Sequence, residues 1–222
     1  MHTPVYLTPS EQVYLNGEKF AAKAGVFNKT RLMHSEQQVD APQLAQAVIA
    51  AAFIILEQQG TLRLEFRQKK GLFGLGSSNL FYADAVGPMA AWPAGTLEAA
   101  LPALAQGMAA TAVNQNQVYV ITYAWLEQDS GAPFESVFAL IKRGLAARGL
   151  LESRVVTHLK IFKNTVYQLS EATRQLALSQ PLQPVQQLTA WYAQARPDVW
   201  KALNQQIKRG IESRQEKSDR DD

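Results

Sequence analysis

Leu44-Ala45-Gln46-Ala47-Val48-Ile49-Ala50-Ala51-Ala52-Phe53-Ile54-Ile55-Leu56 is followed by Glu57-Gln58-Gln59-Gly60 and then by Thr61-Leu62-Arg63-Leu64-Glu65-Phe66-Arg67. The first stretch is apolar nearly all round, and a helix without a polar face is normally one that others surround. The second alternates in period two: Leu62, Leu64 and Phe66 fall on one side and Arg63, Glu65 and Arg67 on the other, as a half-buried strand requires. Gln68 to Ser78 is a glycine-punctuated loop, and Asn79 to Asp84 a second short strand. Residues 41–84 therefore predict a buried helix feeding a β-hairpin. Its tip, Lys69-Lys70-Gly71-Leu72-Phe73-Gly74-Leu75, is both basic and apolar.

Working outward, Asp40-Ala41-Pro42 is a helix start signal for the apolar helix. Near the N-terminus Thr8 is expected to cap a helix, with Pro9 at its first position and Glu11 placed to return a bond to the cap. Gly25 to Met33 shows no dominant period and reads as irregular chain. Beyond the hairpin, Gly87-Pro88 and Trp92-Pro93 mark a connection, and Thr96 caps a helix through Glu98, Leu101 and Leu104. Val118 to Leu126 is apolar on both faces, which leaves buried strand and helix both open.

Phe134, Val137, Phe138, Ile141 and Leu145 form one helical stripe that Gly149 is suited to end. Arg154 to Ile161 alternates again, Lys163-Asn164 supplies a turn, and Val166 to Leu169 is a further strand. The units around 41–84 and 133–169 thus share an order of elements. Ser170 then caps a helix through Leu178, and amphipathic helices follow over 185–195 and 197–211. The charged segment 215–222 has no apolar anchors and is expected to be disordered. The fold class predicted is mainly α: one helical domain, 1–214, around a buried central helix, with a protruding β-hairpin and a second short strand pair.

With 222 residues, 47% of them hydrophobic, the chain is large enough to bury a real core. It has no cysteine, which excludes disulfides and thiolate chemistry and points to a reducing, cytoplasmic setting. Met1-His2-Thr3-Pro4 lacks the pattern of a secretory signal, and the longest apolar run is shorter than the roughly 20 residues that span a bilayer. Any membrane is expected to be met peripherally. The net charge of +3 and pI near 9.1 are modest. Placement matters more: Arg63, Arg67, Lys69 and Lys70 cluster before the hairpin tip, and Lys142, Arg143, Arg148, Arg154, Lys160 and Lys163 form a second basic region.

Catalytic patterns are not found. His2, His34 and His158 have no ligand spacing among them. The Gly71 to Gly76 loop leads into a strand and lacks the Walker lysine, so it does not fit a phosphate-cradling loop. There is no Gly-x-Ser-x-Gly elbow, and the carboxylates are scattered singly. The expectation is a non-enzyme without cofactor or metal.

Leu7-Thr8-Pro9-Ser10-Glu11-Gln12-Val13-Tyr14-Leu15 resembles the opening Leu-Thr-x-x-Glu-x-Val-x-Leu of the Golgi phosphoprotein 3 (GPP34) family. Glu57-Gln58-Gln59-Gly60-Thr61-Leu62-Arg63-Leu64-Glu65 is similar to its helix-to-hairpin junction, and Arg148-Gly149-Leu150-Leu151 to a later Lys-Gly-x-Leu segment. The likeness runs over about residues 6–180, with much of the family's C-terminal helical region lacking. It implies a helical domain with a protruding hairpin and peripheral binding of phosphatidylinositol 4-phosphate. The family's lipid-binding tryptophan and arginines align here with Asp40, Ile49, Glu135 and Phe138.

The resulting expectation is attachment to anionic membrane lipid. Leu72, Phe73 and Leu75 would insert at the acyl boundary, with Arg67, Lys69, Lys70, Lys142 and Arg143 at the headgroups, each cation contributing about 1 kcal/mol. Two alternatives stand beside it. One is a winged-helix-like nucleic-acid binder using Lys142, Arg143 and Arg148, less favoured because the 133–148 helix offers few base-reading residues. The other is a non-catalytic scaffold that forms a homo-oligomer through the hairpin edge.

Overall fold

The Asp40 carboxylate accepts the Gln43 amide at 2.8 Å and Pro42 occupies the first turn, so α2 (Ala41–Gln58) starts at its sequence signal. It ends in a Schellman turn: Gly60 at φ 70° lets its own amide reach Glu57 O at 2.9 Å while the Thr61 amide reaches Leu56 O at 2.9 Å. Leu44, Val48, Ile49, Phe53, Ile54 and Leu56 are all fully buried. In this computed structural model, residues 6–35, 37–70, 77–88, 91–111, 115–158 and 162–221 are described. They form eight α-helices and three two-stranded antiparallel sheets, a mainly α architecture.

Around α2 pack α1 (Pro9–Leu15), α3 (Leu97–Thr111), α5 (Pro133–Ala147), α7 (Gln183–Ala195) and α8 (Pro197–Asp221). Glu11 accepts the Thr8 amide at 2.9 Å, with Pro9 opening α1. Thr96 Oγ1 receives the Ala99 amide at 3.3 Å at the start of α3. Residues 118–126, which periodicity left open, are helical as α4 (Val118–Leu126). That helix is apolar on more than one face because it packs on α3, α5 and α8. Its closest approach is to α8, where a Cβ at Gly210 would come within 2.7 Å of Tyr119 O. The α8 helix continues to Asp221, past Gln215, where the charge pattern predicts loss of order.

Residues 25–33 are not wholly irregular. β1 (Lys29–Arg31) pairs with β2 (Gln38–Asp40) in a three-residue ladder, too short to carry a period. β3 (Leu62–Lys70) and β4 (Ser77–Ala85) pair from Leu62↔Ala85 to Lys70↔Ser77. β5 (Leu151–His158) and β6 (Phe162–Leu169) pair from Leu151↔Leu169 to His158↔Phe162. Gly149, at φ 72°, ends α5 as Gly60 ends α2, with Leu150 N to Leu145 O at 2.9 Å. The repeat of helix, glycine and strand pair therefore has one cause: the same left-handed glycine turn used twice.

Gly144 on α5 is where the chain at Gly95 crosses, and a Cβ there would lie 2.2 Å from Gly95 O. Gly144→Ala should cost about 1–3 kcal/mol through overpacking. Gly107→Ala, on the exposed side of α3 with nothing within 4 Å, should gain about 0.5–1 kcal/mol. Urea denaturation of both variants tests this; equal midpoints would show that the α5 crossing tolerates a methyl group.

Candidate functional site

The turn at Gly60 leaves β3 starting against the end of α2, and the returning strand crosses the turn closely. A Cβ at Gly87 would be 2.2 Å from Gly60 O, and the Val86 amide donates to Thr61 O at 3.1 Å. Leu62, Leu64, Phe81 and Ala83 bury this root against the helices. Asn116, in the α3–α4 connection, straps the outer strand: its carbonyl accepts the Ala83 amide at 3.0 Å and its side-chain amide donates to Asp84. From the inner side Glu57 holds three donors. Leu64 N–H reaches Oε1 at 3.1 Å, while Tyr192 Oη at 2.5 Å and Arg196 Nη1 at 2.8 Å reach Oε2. Burial, with the Glu57 carboxylate adding to it, holds the Tyr192 phenol well above its ordinary pKa.

The polar face of the hairpin carries its own neutralisation. Arg63 Nε lies 2.9 Å from Glu65 and its Nη2 3.5 Å from Asp84. Arg67 Nε lies 2.6 Å from Glu65, its Nη2 donates to Asp84, and its guanidinium sits 4.5 Å over the Tyr82 ring. The hydrogen bond from Arg67, ahead of the opposing effect of burial, holds the Glu65 carboxyl below the usual range. Two arginines and two carboxylates thus cancel, and the other charged residues of 62–85 are Lys69 and Lys70.

The residues predicted from sequence are placed as follows. Arg67 is in β3 and committed to Glu65 and Asp84. Lys69 and Lys70 continue that strand, paired with Ser78 and Ser77. Leu72, Phe73 and Leu75 lie outside the described residues. Lys142 is partly buried on α5, where burial lowers its pKa and Glu135 opposes the shift. Arg143 pairs with Asp129 Oδ1 at 2.5 Å and Gln128 O at 3.3 Å. Among the described residues no hydrogen bond or ion pair joins Lys142 or Arg143 to β3 or β4.

A second polar cluster is absent from the sequence-based list. Glu98, at 0% exposure, accepts the Ser10 amide at 2.7 Å and the Ser10 hydroxyl at 3.0 Å. Beside it Glu11 takes Arg148, whose Nη1 also reaches Tyr6 O at 3.2 Å. Glu11 was legible as a capping residue and Glu98 as a first-turn acid; that Glu98 meets Ser10 across 88 residues was not, since only packing brings α1 to α3. Burial raises the Glu98 carboxyl to about 7, against the lowering effect of the Ser10 amide. Glu98 is sealed from solvent and ties α3 to α1, while Glu11 and Arg148 tie α1 to the end of α5.

Because Glu98 holds its proton more tightly when folded, its contribution is complete below about 4.5 and is lost as pH rises through about 7. On the order of 3 kcal/mol is at stake. Urea midpoints measured from pH 5 to 8 should fall in the native chain and stay nearly level in Glu98→Gln; parallel slopes would place the proton elsewhere. No family model, no curated protein and no solved structure matches this chain.

Proposed function

We propose that this protein attaches reversibly to anionic membrane surfaces through the β3–β4 hairpin and performs no chemistry of its own. The supporting observation is where burial stops along the ladder. Phe81 is 2% exposed, but its cross-strand partner Phe66 is 43% exposed, and four more pairs follow, from Arg67↔Leu80 to Lys70↔Ser77. Gln68 and Asn79 among them are exposed. At the rise of a strand these pairs carry the ladder roughly 13 Å past Phe66↔Phe81. In the sequence Leu72, Phe73 and Leu75 follow Lys69, Lys70 and Gly71. Apolar side chains beside lysines are the composition that lodges at a headgroup boundary.

A helical body around α2 with a protruding hairpin is the arrangement proposed, akin to the Golgi phosphoprotein 3 family. Headgroup specificity of that family's kind is not part of the proposal. Of the aligned positions, Asp40 caps α2, Ile49 and Phe138 are core residues, and Glu135 is acidic, so no cationic pocket is available there. Attachment is therefore driven by charge density and apolar insertion, with phosphatidylinositol 4-phosphate as one anionic lipid among others. Nucleic-acid binding has less support: α5 exposes only Glu135, Arg143 and Ala147, and Arg143 is paired.

Co-sedimentation with vesicles containing anionic lipid at low salt tests this. Lys69→Ala with Lys70→Ala should weaken binding about 30-fold, from about 1 kcal/mol per lysine, and adding Phe73→Asp should abolish it. Binding of the triple variant equal to that of the native chain would dismiss the hairpin as the anchor.

A further inference from the structure

Between α2 and α7 lies a cleft of about 890 Å³ to which the charges of the hairpin make no contribution. That is within the size range of sites for small ligands. Its middle is apolar, formed by Ala51, Ile55, Val185, Leu188 and Trp191. Pro9, Pro181 and Pro184 add wall that has no backbone N–H to satisfy. Trp191 stands half exposed at 50%, while its neighbour Tyr192 is buried. One end is closed by Gln180, which bonds both main-chain groups of Leu7 at 3.0 and 2.8 Å. The other end holds Glu57, Tyr192 and Arg196. Along α7 the 13 residues between these ends rise about 18 Å, a span suited to one extended hydrocarbon chain.

The polar end favours one kind of head. Glu57 already accepts three hydrogen bonds, from Leu64, Tyr192 and Arg196. The Arg196 guanidinium donates to Glu57, lies 5.5 Å over the Tyr192 ring and interacts with the Tyr192 hydroxyl, which leaves part of its five N–H donors uncommitted. Gln12, Gln58 and Gln187 also line the cleft, but the one cationic donor in the lining among the described residues is the Arg196 guanidinium, which suits a carboxylate or another anionic head. A cationic head would find the Glu57 oxygens occupied.

We propose that this cleft binds a single-chain anionic amphiphile, its hydrocarbon chain lying along Ile55 and Leu188 and its head on Arg196. Such a molecule has two sources, a free fatty acid or the acyl chain of a bilayer lipid. Glu57 joins the cleft to β3 through the Leu64 amide, but no residue of β3 or β4 lines the cleft, so Ile55→Trp and the hairpin variants act on different residues and either proposal can fail without the other.

Titration of the full-length chain with sodium laurate, kept below its micelle concentration, should give saturable one-to-one binding. Tryptophan emission should shift to the blue, and that shift should be missing in Trp191→Phe. Ile55→Trp, which fills the cleft without touching the ion pair, should remove binding while leaving the urea midpoint close to native. Arg196→Gln should weaken laurate about tenfold and leave neutral dodecanol unchanged. The absence of saturable laurate binding overturns the proposal, as does native affinity in Ile55→Trp. Dodecanol binding the native chain as tightly as laurate overturns the anionic head. Anionic vesicles separate the sources: recruitment lost in Ile55→Trp assigns the cleft to a bilayer chain, and recruitment kept assigns it to the free acid.

Discussion

A helix that is apolar on nearly every side has no stable place in water except inside other helices, and α2 imposes that condition on the rest of the chain. By composition it would also suit a bilayer: its 18 residues have a mean hydropathy of 1.3. Here protein takes the place of lipid. Five helices pack against it, and the run Ala50-Ala51-Ala52 is buried among them. Each buried Leu, Ile or Phe contributes about 1.5–3 kcal/mol, which is what offsets the entropy of ordering the surrounding elements. The two exits from this core, at Gly60 and Gly149, are both left-handed glycine turns, and each launches a strand pair.

Polar groups then decide which docking of those helices is allowed. Glu57 joins the end of α2, the start of β3 and the end of α7; Glu98 and Glu11 join α1, α3 and the end of α5 through Ser10 and Arg148. Buried ion pairs of this type add little net stability over an apolar replacement. Their effect is on alternatives, because any other packing would strand a carboxylate out of water without donors. The terminal helices, whose apolar faces are less distinctive, are thereby held in one register against α2.

The same register explains why the hairpin's charges behave differently from their sequence. In one dimension Arg63, Arg67, Lys69 and Lys70 form a basic run. Once β4 is laid beside β3, Asp84 falls opposite Arg63 and within reach of Arg67, and two of the four cations are cancelled. Period-two alternation revealed the faces of the strand but not the acid 17 residues away that would meet it. The β1–β2 ladder was illegible for a related reason, its three residues being too few to establish an alternation.

Taken alone, the sequence determined the elements whose signals are local. These are the caps at Thr8, Asp40 and Ser170, the glycine stops at 60 and 149, the all-round apolar character of α2 and the alternation of β3. Local signals suffice there because capping, left-handed turns and side-chain periodicity act within a few residues. Only the tertiary structure decided that Val118–Leu126 is a helix, that Arg67 is neutralised, that Arg143 is paired with Asp129, and that Glu57 and Arg196 face one another across 139 residues. Those outcomes depend on which surfaces meet, and a pairing between distant charges leaves no periodic trace in the order of residues that carry it.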